Sequence, residues 1–153
     1  MRDNITIICP KHGEFNQSPS NHIHNKQNCP ACMSGKSKKE NDWLDYIGIP
    51  NDYSHRTVIL HINGRRYIVD GFDPITNTIY EFYDDYWHGN PNIYKSDAIN
   101  DGNHISFGNL YKNTMDRENR LIRSGYKLVT IWEQEFDQLQ TQLDRRKKEI
   151  NKI

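Results

Sequence analysis

The sequence predicts an α/β fold: a mixed, mainly antiparallel β-sheet flanked by helices, with a small cysteine-rich module ahead of it. Three observations lead there. Asn63-Gly64 stands between two strand-like runs, a strong signal for a two-residue hairpin. Further strand-like runs at 78–83 and 126–132 enclose a long helix-like stretch. All three cysteines fall in the first 35 residues, a loop-rich segment that also holds His12, His22 and His24.

Composition narrows the class. The chain has 153 residues, enough for one ordinary domain with a small stapled module beside it. Its apolar residues are gathered in dense stretches such as Thr57–Ile62, Tyr67–Val69 and Leu128–Trp132, so a packed core is expected rather than disorder. No apolar run approaches the roughly 18–20 residues needed to span a bilayer. Met1-Arg2-Asp3-Asn4 does not begin a signal peptide. A soluble, intracellular, cytoplasmic protein is the expectation. Twenty basic residues balance 20 acidic ones, which argues against a simple electrostatic DNA binder. A nuclease can still be neutral, because its site carboxylates subtract charge that bound metal restores. Lys36, Lys38 and Lys39 form one basic cluster and Arg145, Arg146, Lys147 and Lys148 another. Each reads as a solvated face or frayed end, with phosphate contact as the alternative.

The elements follow in order. Residues 1–35 form the cysteine module and 34–39 read as a linker. Residues 36–153 form a single α/β domain. Its first helix is expected over Ser37–Ile47, with Trp43, Leu44 and Ile47 on one face and Gly48 and Pro50 as its stop. The hairpin Thr57–Ile62 and Arg65–Asp70 comes next. Asp73-Pro74 and Thr76-Asn77 turn the chain into a third strand, Thr78–Tyr83. Residues 84–108 read as mostly loop, punctuated by Gly89, Pro91, Gly102 and Gly108. A helix fits Asn109–Ser124 with Gly125 as its cap, then a core strand Tyr126–Trp132, then a polar helix over 134–151.

Cys9-Pro10-Lys11-His12 and Cys29-Pro30-Ala31-Cys32 are two knuckles with two residues between ligands. That spacing lets one tight turn offer two side chains to one ion. Two such turns complete the tetrahedron that Zn²⁺ prefers, so Cys9, His12, Cys29 and Cys32 are the expected ligands of a structural zinc. His22 and His24 are alternative ligands. A closed four-ligand site stabilises a fold rather than catalysing a reaction.

The catalytic candidates lie further on. Asp70 ends one expected strand and Glu81 lies on the next, across a turn. Two carboxylates on adjacent antiparallel strands can converge on one Mg²⁺, whose open positions suit phosphodiester hydrolysis. Turn acids are also common without any such role. His88, in Trp87-His88-Gly89, adds a candidate base or a partner for a metal-bound water. A lone surface histidine is the plainer alternative. Trp87 either packs under the site or wedges into a duplex. Arg117 is a candidate phosphate contact, while Arg120 and Arg123 read as solvated. Tyr111, Lys112 and Thr114 open a helix whose N-terminal dipole favours anions.

The order helix, hairpin with Asp70, strand, Trp87-His88-Gly89, long helix and Gly125-Tyr126-x-Leu128-Val129-x-Ile131-Trp132-Glu133 resembles the very-short-patch repair endonucleases. It is closer to their phage and homing relatives, described by a Glu-Asp-x-His-Asp active site. Cys9-Pro10-x-His12-Gly13-x-Phe15, with Cys29-Pro30-x-Cys32, is similar to ribbons found ahead of such domains. The resemblance implies a restriction-endonuclease-like fold, double-stranded DNA as partner and Mg²⁺ as catalytic ion. It implies Asp70 as the central aspartate, His88 as the motif histidine and Glu40 as the helical glutamate. The last acid would be Asp116, with Glu118 competing. Glu81 would take the second-carboxylate place of the broader PD-(D/E)xK fold. Tyr83 stands where that fold often has lysine, and Asp84 where a glycine is expected.

The expected activity is Mg²⁺-assisted nicking or double-strand cleavage of DNA, a double-strand cut implying two copies acting together. The abundance of Asn, Ile, Lys and Tyr points to an AT-rich genome, as in some viruses and phages. Two alternatives stand beside it: a nucleic-acid-binding protein with a decayed site, which the neutral charge and Asp84 favour, and a ribbon adaptor that binds other proteins.

Overall fold

A computed structural model describes residues 4–10, 13–25, 28, 29, 32 and 37–151. They form two compact units, residues 1–75 and 76–153. Strands and helices mix in both, as expected of an α/β chain, and both antiparallel and parallel strand pairs occur.

In the first unit, β1 (Ile5–Cys9) and β2 (Gly13–Gln17) pair antiparallel, with Ile5 opposite Gln17 and Cys9 opposite Gly13. A short α1 (Pro19–Ile23) follows, where Ser18 accepts a hydrogen bond from the Asn21 N–H and a proline opens the turn. Next comes α2 (Lys38–Tyr46), so Lys38 and Lys39 belong to a helix and not to a linker. The reason is Ser37, whose hydroxyl accepts from the Glu40 N–H at 3.0 Å and caps the helix. Trp43 and Leu44 are buried, as their spacing predicts, and Gly48 at φ 79° ends the run.

The hairpin of β3 (Arg56–Ile62) and β4 (Arg65–Asp73) pairs Ile62 with Arg65, Val58 with Val69 and Arg56 with Gly71. Asn63 at φ 49° and Gly64 at φ 74° both adopt left-handed geometry, the pair of conformations a type I′ turn requires. β4 runs three residues past the expected end at Asp70.

In the second unit, β5 (Thr78–Tyr83) leads into the one-turn α3 (Asp85–His88), then α4 (Phe107–Arg123), β6 (Lys127–Trp132) and α5 (Glu133–Ile150). β5 and β6 are parallel, in register from Thr78 opposite Lys127 to Tyr83 opposite Trp132. A helical crossover returns the chain in its starting direction, which a short hairpin turn cannot do. The two faces of β5 are covered differently. Phe82 meets Phe136 of α5 edge-on at 5.9 Å. Glu81 and Tyr83, on the opposite face, look toward α4, where Arg117 reaches Glu81. Helices on both faces explain why β5 is buried almost throughout, Glu81 included.

The stretch 84–108 is more organised than a loop. Asn90 and Asn100 are almost wholly buried and tie it internally. Asn90 Nδ2 donates to Asp85 at 2.6 Å and its Oδ1 accepts from the Asn92 N–H. Asn100 Nδ2 donates to the Tyr86 carbonyl, and its Oδ1 accepts from the Gly102 and Asn103 N–H groups. Ser106 caps α4, whose first residue, Phe107, lies two residues before the expected helix start. No helix among the described residues is long and apolar enough to cross a membrane.

Candidate functional site

Two clusters carry chemistry, one in each unit. In the first, the sulfurs of Cys9, Cys29 and Cys32 all lie within 4.8 Å of one another. Cys9 closes β1, and the Cys32 N–H donates to Cys29 Sγ at 3.2 Å, folding that knuckle around its sulfur. Cys9 Sγ and Cys32 Sγ stand 3.7 Å apart. Two thiolates bound to a tetrahedral zinc at about 2.3 Å would be about 3.8 Å apart, so the spacing fits the ion. Burial and the neighbouring sulfurs push the Cys32 thiol up to about 12, because each negative sulfur opposes the next. A divalent cation removes that opposition, and three close cysteines can hold one.

The cluster borders a cavity of about 520 Å³ whose walls include Phe15, His22 and Tyr53. Cys9 and Cys29 pack with Phe15 and Ile59, so the sulfurs are also part of a small core. Of the histidines considered as fourth ligand, His22 shares the cavity and His24 is exposed, while His12 lies outside the described residues.

The second cluster sits where β5 gives way to α3. Asp84 caps α3: its Oδ1 accepts from the Tyr86 and Trp87 N–H groups at 3.0 and 3.2 Å. The residue that stood where a glycine was expected therefore builds the turn. Asp85 is buried against Asn90, and desolvation raises its carboxyl pKa. Gly89 adopts φ 71°, and a side chain there would meet the Phe107 carbonyl at 2.3 Å. The glycine of the Trp-His-Gly triplet thus lets α3 and α4 come together.

That approach sets His88. Its ring lies 4.8 Å from the Tyr83 ring, and its Nδ1 meets Thr114 Oγ1 on α4 at 3.1 Å. Thr114 Oγ1 also lies 3.1 Å from the Leu110 carbonyl, so one hydroxyl on α4 anchors the ring at Nδ1 and leaves Nε2 as the other ring nitrogen. Burial pulls His88 down to about 4, so the ring is neutral at neutral pH.

Glu81 is buried, and its Oε1 receives Arg117 Nη2 at 2.7 Å. Arg117, expected as a phosphate contact, is thus engaged with this acid. Asp116 does not reach His88: it is half-exposed and bound to Lys112 at 2.6 Å, which lowers its carboxyl pKa. Glu118, the competing acid, acts on Tyr83: burial first, then the Glu81 and Glu118 charges, hold that phenol protonated far above its usual range. Trp87 is half-exposed at the rim, its ring edge-on to Tyr86 at 5.1 Å.

The remaining candidates belong to the first unit. Asp70 lies on β4, one residue past the fully buried Val69. Across the hairpin, between Arg56 and Val58, Thr57 adopts φ 52°, a strained conformation for a β-branched residue. Glu40 lies in the first turn of α2, the position of a capping-box glutamate after Ser37.

One family is found by comparison. A model described as "Protein of unknown function (DUF723)" matches residues 1–33, the stretch with both knuckles. No curated protein and no solved structure matches the chain.

Sequence reasoning did not find Thr114 as the partner of His88, or Arg117 as that of Glu81. Nothing marks a threonine 26 residues away in sequence as the anchor of that ring. Asp84 could have been found, since an aspartate just before a short helical turn is a capping signal.

Proposed function

We propose that this chain is a Mg²⁺-dependent DNA endonuclease carrying a structural zinc ribbon. The observation that supports it best is His88: a neutral imidazole, anchored at Nδ1 by Thr114, on the turn that leaves the strand bearing the buried Glu81. In this reading Asp70 and Glu81 hold the ion. Bound there, Mg²⁺ polarises the phosphate and acidifies water. His88 Nε2 accepts the proton of the attacking water, while Thr114 keeps the ring from turning. Arg117 neutralises Glu81 in the free protein and offers its remaining donors to the phosphate. Cys9, Cys29 and Cys32, with His12 or His22 as the fourth ligand, hold the zinc. A restriction-endonuclease-like sheet is part of the same reading.

The Arg117–Glu81 pair supports one competing view, in which Glu81 is structural and the chain binds nucleic acid without cutting it. A plasmid-nicking assay separates the two. The full chain with Mg²⁺ should convert supercoiled DNA to open-circle or linear forms. Asp70→Ala and Glu81→Gln should each lower the rate by about 10²-fold or more, as loss of a metal-held transition-state interaction does. Binding without cleavage would select the competing view, and equal cutting by wild type and Asp70→Ala would overturn the assignment.

A further inference from the structure

The β3–β4 hairpin gathers positive charge in a chain whose charges otherwise cancel. Between Arg56 and Val69 the sequence has three arginines, one histidine and no acid. Arg56 is buried and engaged with Asp45. The other cations stand at the tip, where Arg65, Arg66 and His61 are exposed. Cross-strand charge pairs stabilise a sheet when their signs are opposite, yet no acid stands across from either arginine. Arg66 faces His61, and Arg65 faces Ile62. Elsewhere exposed cations take carboxylates, as Lys38 does with Asp42 and Lys112 with Asp116. Among the described residues neither Arg65 nor Arg66 has an ion pair.

The tip is built to present these charges. Asn63 and Gly64 hold the left-handed pair of conformations of a tight turn, so the finger is preorganised. Successive side chains on a strand alternate between its faces, which puts Arg65 and Arg66 on opposite sides. On the Arg66 side the middle of the hairpin is covered, because Ile59 packs with Cys9, Cys29 and Phe15. His61 lies two residues beyond that contact, at the bare end.

The shape selects the partner. No large apolar side chain is exposed between His61 and Arg66, whereas binders of a lipid surface add apolar side chains to their cations. The major groove of B-DNA is about 12 Å wide and admits a two-stranded β-ribbon. Phosphate backbones border it on both sides, and arginine matches phosphate with two parallel donors.

We propose that the β3–β4 tip is a phosphate-binding finger for duplex DNA, in which Arg65 and Arg66 each meet a backbone phosphate. This rests on the DNA-binding part of the reading above and holds whether or not the chain cuts. Arg66 lies four residues from Asp70 on β4, about 14 Å along the strand, so the finger grips the duplex away from the proposed ion.

The test measures binding of the full-length protein to a fluorescent duplex by anisotropy, with Mg²⁺ left out, between about 50 and 200 mM salt. Arg65→Ala and Arg66→Ala should each reduce the slope of log K against log salt by about 0.9, and the double variant by about 1.8. Near 0.1 M salt each should weaken binding by about 5–10-fold, and equally for duplexes of unrelated sequence, because phosphate contacts carry no sequence information. Arg65→Lys and Arg66→Lys keep the charge and should keep the slope. Both residues are exposed, so the Tm should not move. A double variant with the wild-type slope overturns the proposal and leaves the DNA reading standing. An equal loss in Arg123→Ala, an exposed cation of the second unit, would show that any surface charge serves, and overturns it too. So would poly-glutamate that displaces the labelled duplex as well as unlabelled duplex does, since the tip would then take acidic chains in general. A wild type that binds no duplex ends both readings.

Discussion

The two units reach stability by different means. In the first, the β1–β2 end has little apolar burial of its own: Ile5, Ile8 and Ile23 are exposed, and its small core consists of Cys9 and Cys29 with Phe15 and Ile59. In the second, two helices cover the two faces of one strand, and Ile79, Phe82, Tyr83, Leu121 and Phe136 are buried without help from sulfur. The contrast shows how a short chain divides its tasks. Where area is too small to offset chain entropy, three close cysteines that can hold a metal offer a substitute. Where strand and helices suffice, buried polar groups can be spared for a site.

Metal removal is the sharpest way to break that comparison. A structural zinc contributes roughly 10–16 kcal/mol in small peptides, far more than the β1–β2 end can gain from burial. Purified protein should carry about one zinc per chain. Cys29→Ser, or a strong chelator, should abolish hydrogen-exchange protection of the β1 and β2 amides while leaving β5 and α4 protected. Zinc content well below half an equivalent in a folded sample would end the zinc assignment. Loss of protection in both units at once would erase the distinction drawn between them.

A smaller effect is expected at Gly89 in the second unit. Gly89→Ala forces a side chain into a left-handed backbone and against the Phe107 carbonyl, so a loss of about 1–3 kcal/mol is expected from the backbone alone. Because Gly89 adjoins His88, the same change should displace the imidazole from Thr114. Urea denaturation gives the first quantity, and the ¹⁵N shifts of the His88 ring give the second. An unchanged midpoint would show that the α3–α4 approach is not close enough to require glycine.

How much of this was legible beforehand depended on range. The Asn63-Gly64 turn, the β5 boundaries and the paired cysteine spacing are local patterns, and each is decided by the conformation of a few residues. The α3 turn was missed because its signal is the single residue Asp84, and helices of one turn leave no periodicity. The parallel pairing of β5 with β6 depends on how the crossover packs, which local patterns do not specify. The site was read least well where partners are remote. Asp116 and Glu118 compete for one acidic place on α4 in the sequence, and only the structure shows Lys112, one turn away, holding Asp116 while Glu118 acts on Tyr83. Likewise Arg117 is legible as a candidate phosphate contact, while its pairing with a buried acid 36 residues earlier is not.

The mildest test concerns the protonation of His88. Its folded-state value of about 4 lies below the ordinary value of about 6.5, because burial disfavours the imidazolium. Between those two pH values the unfolded chain holds a proton that the folded chain does not. Stability therefore rises with pH across that window. The contribution is fully present above about pH 6.5 and is lost as pH falls toward 4, with a slope of at most about 1.4 kcal/mol per pH unit. Asp85 acts in the opposite sense at the acid end, since its raised carboxyl pKa favours folding when protonated. Comparing wild type with His88→Asn isolates the histidine: exchange of α4 amides should lose most of its pH dependence between 4 and 6.5 in the variant. If the two proteins follow the same curve, burial does not hold the His88 ring neutral between pH 4 and 6.5, and the environment described for it around Tyr83 and Thr114 is wrong.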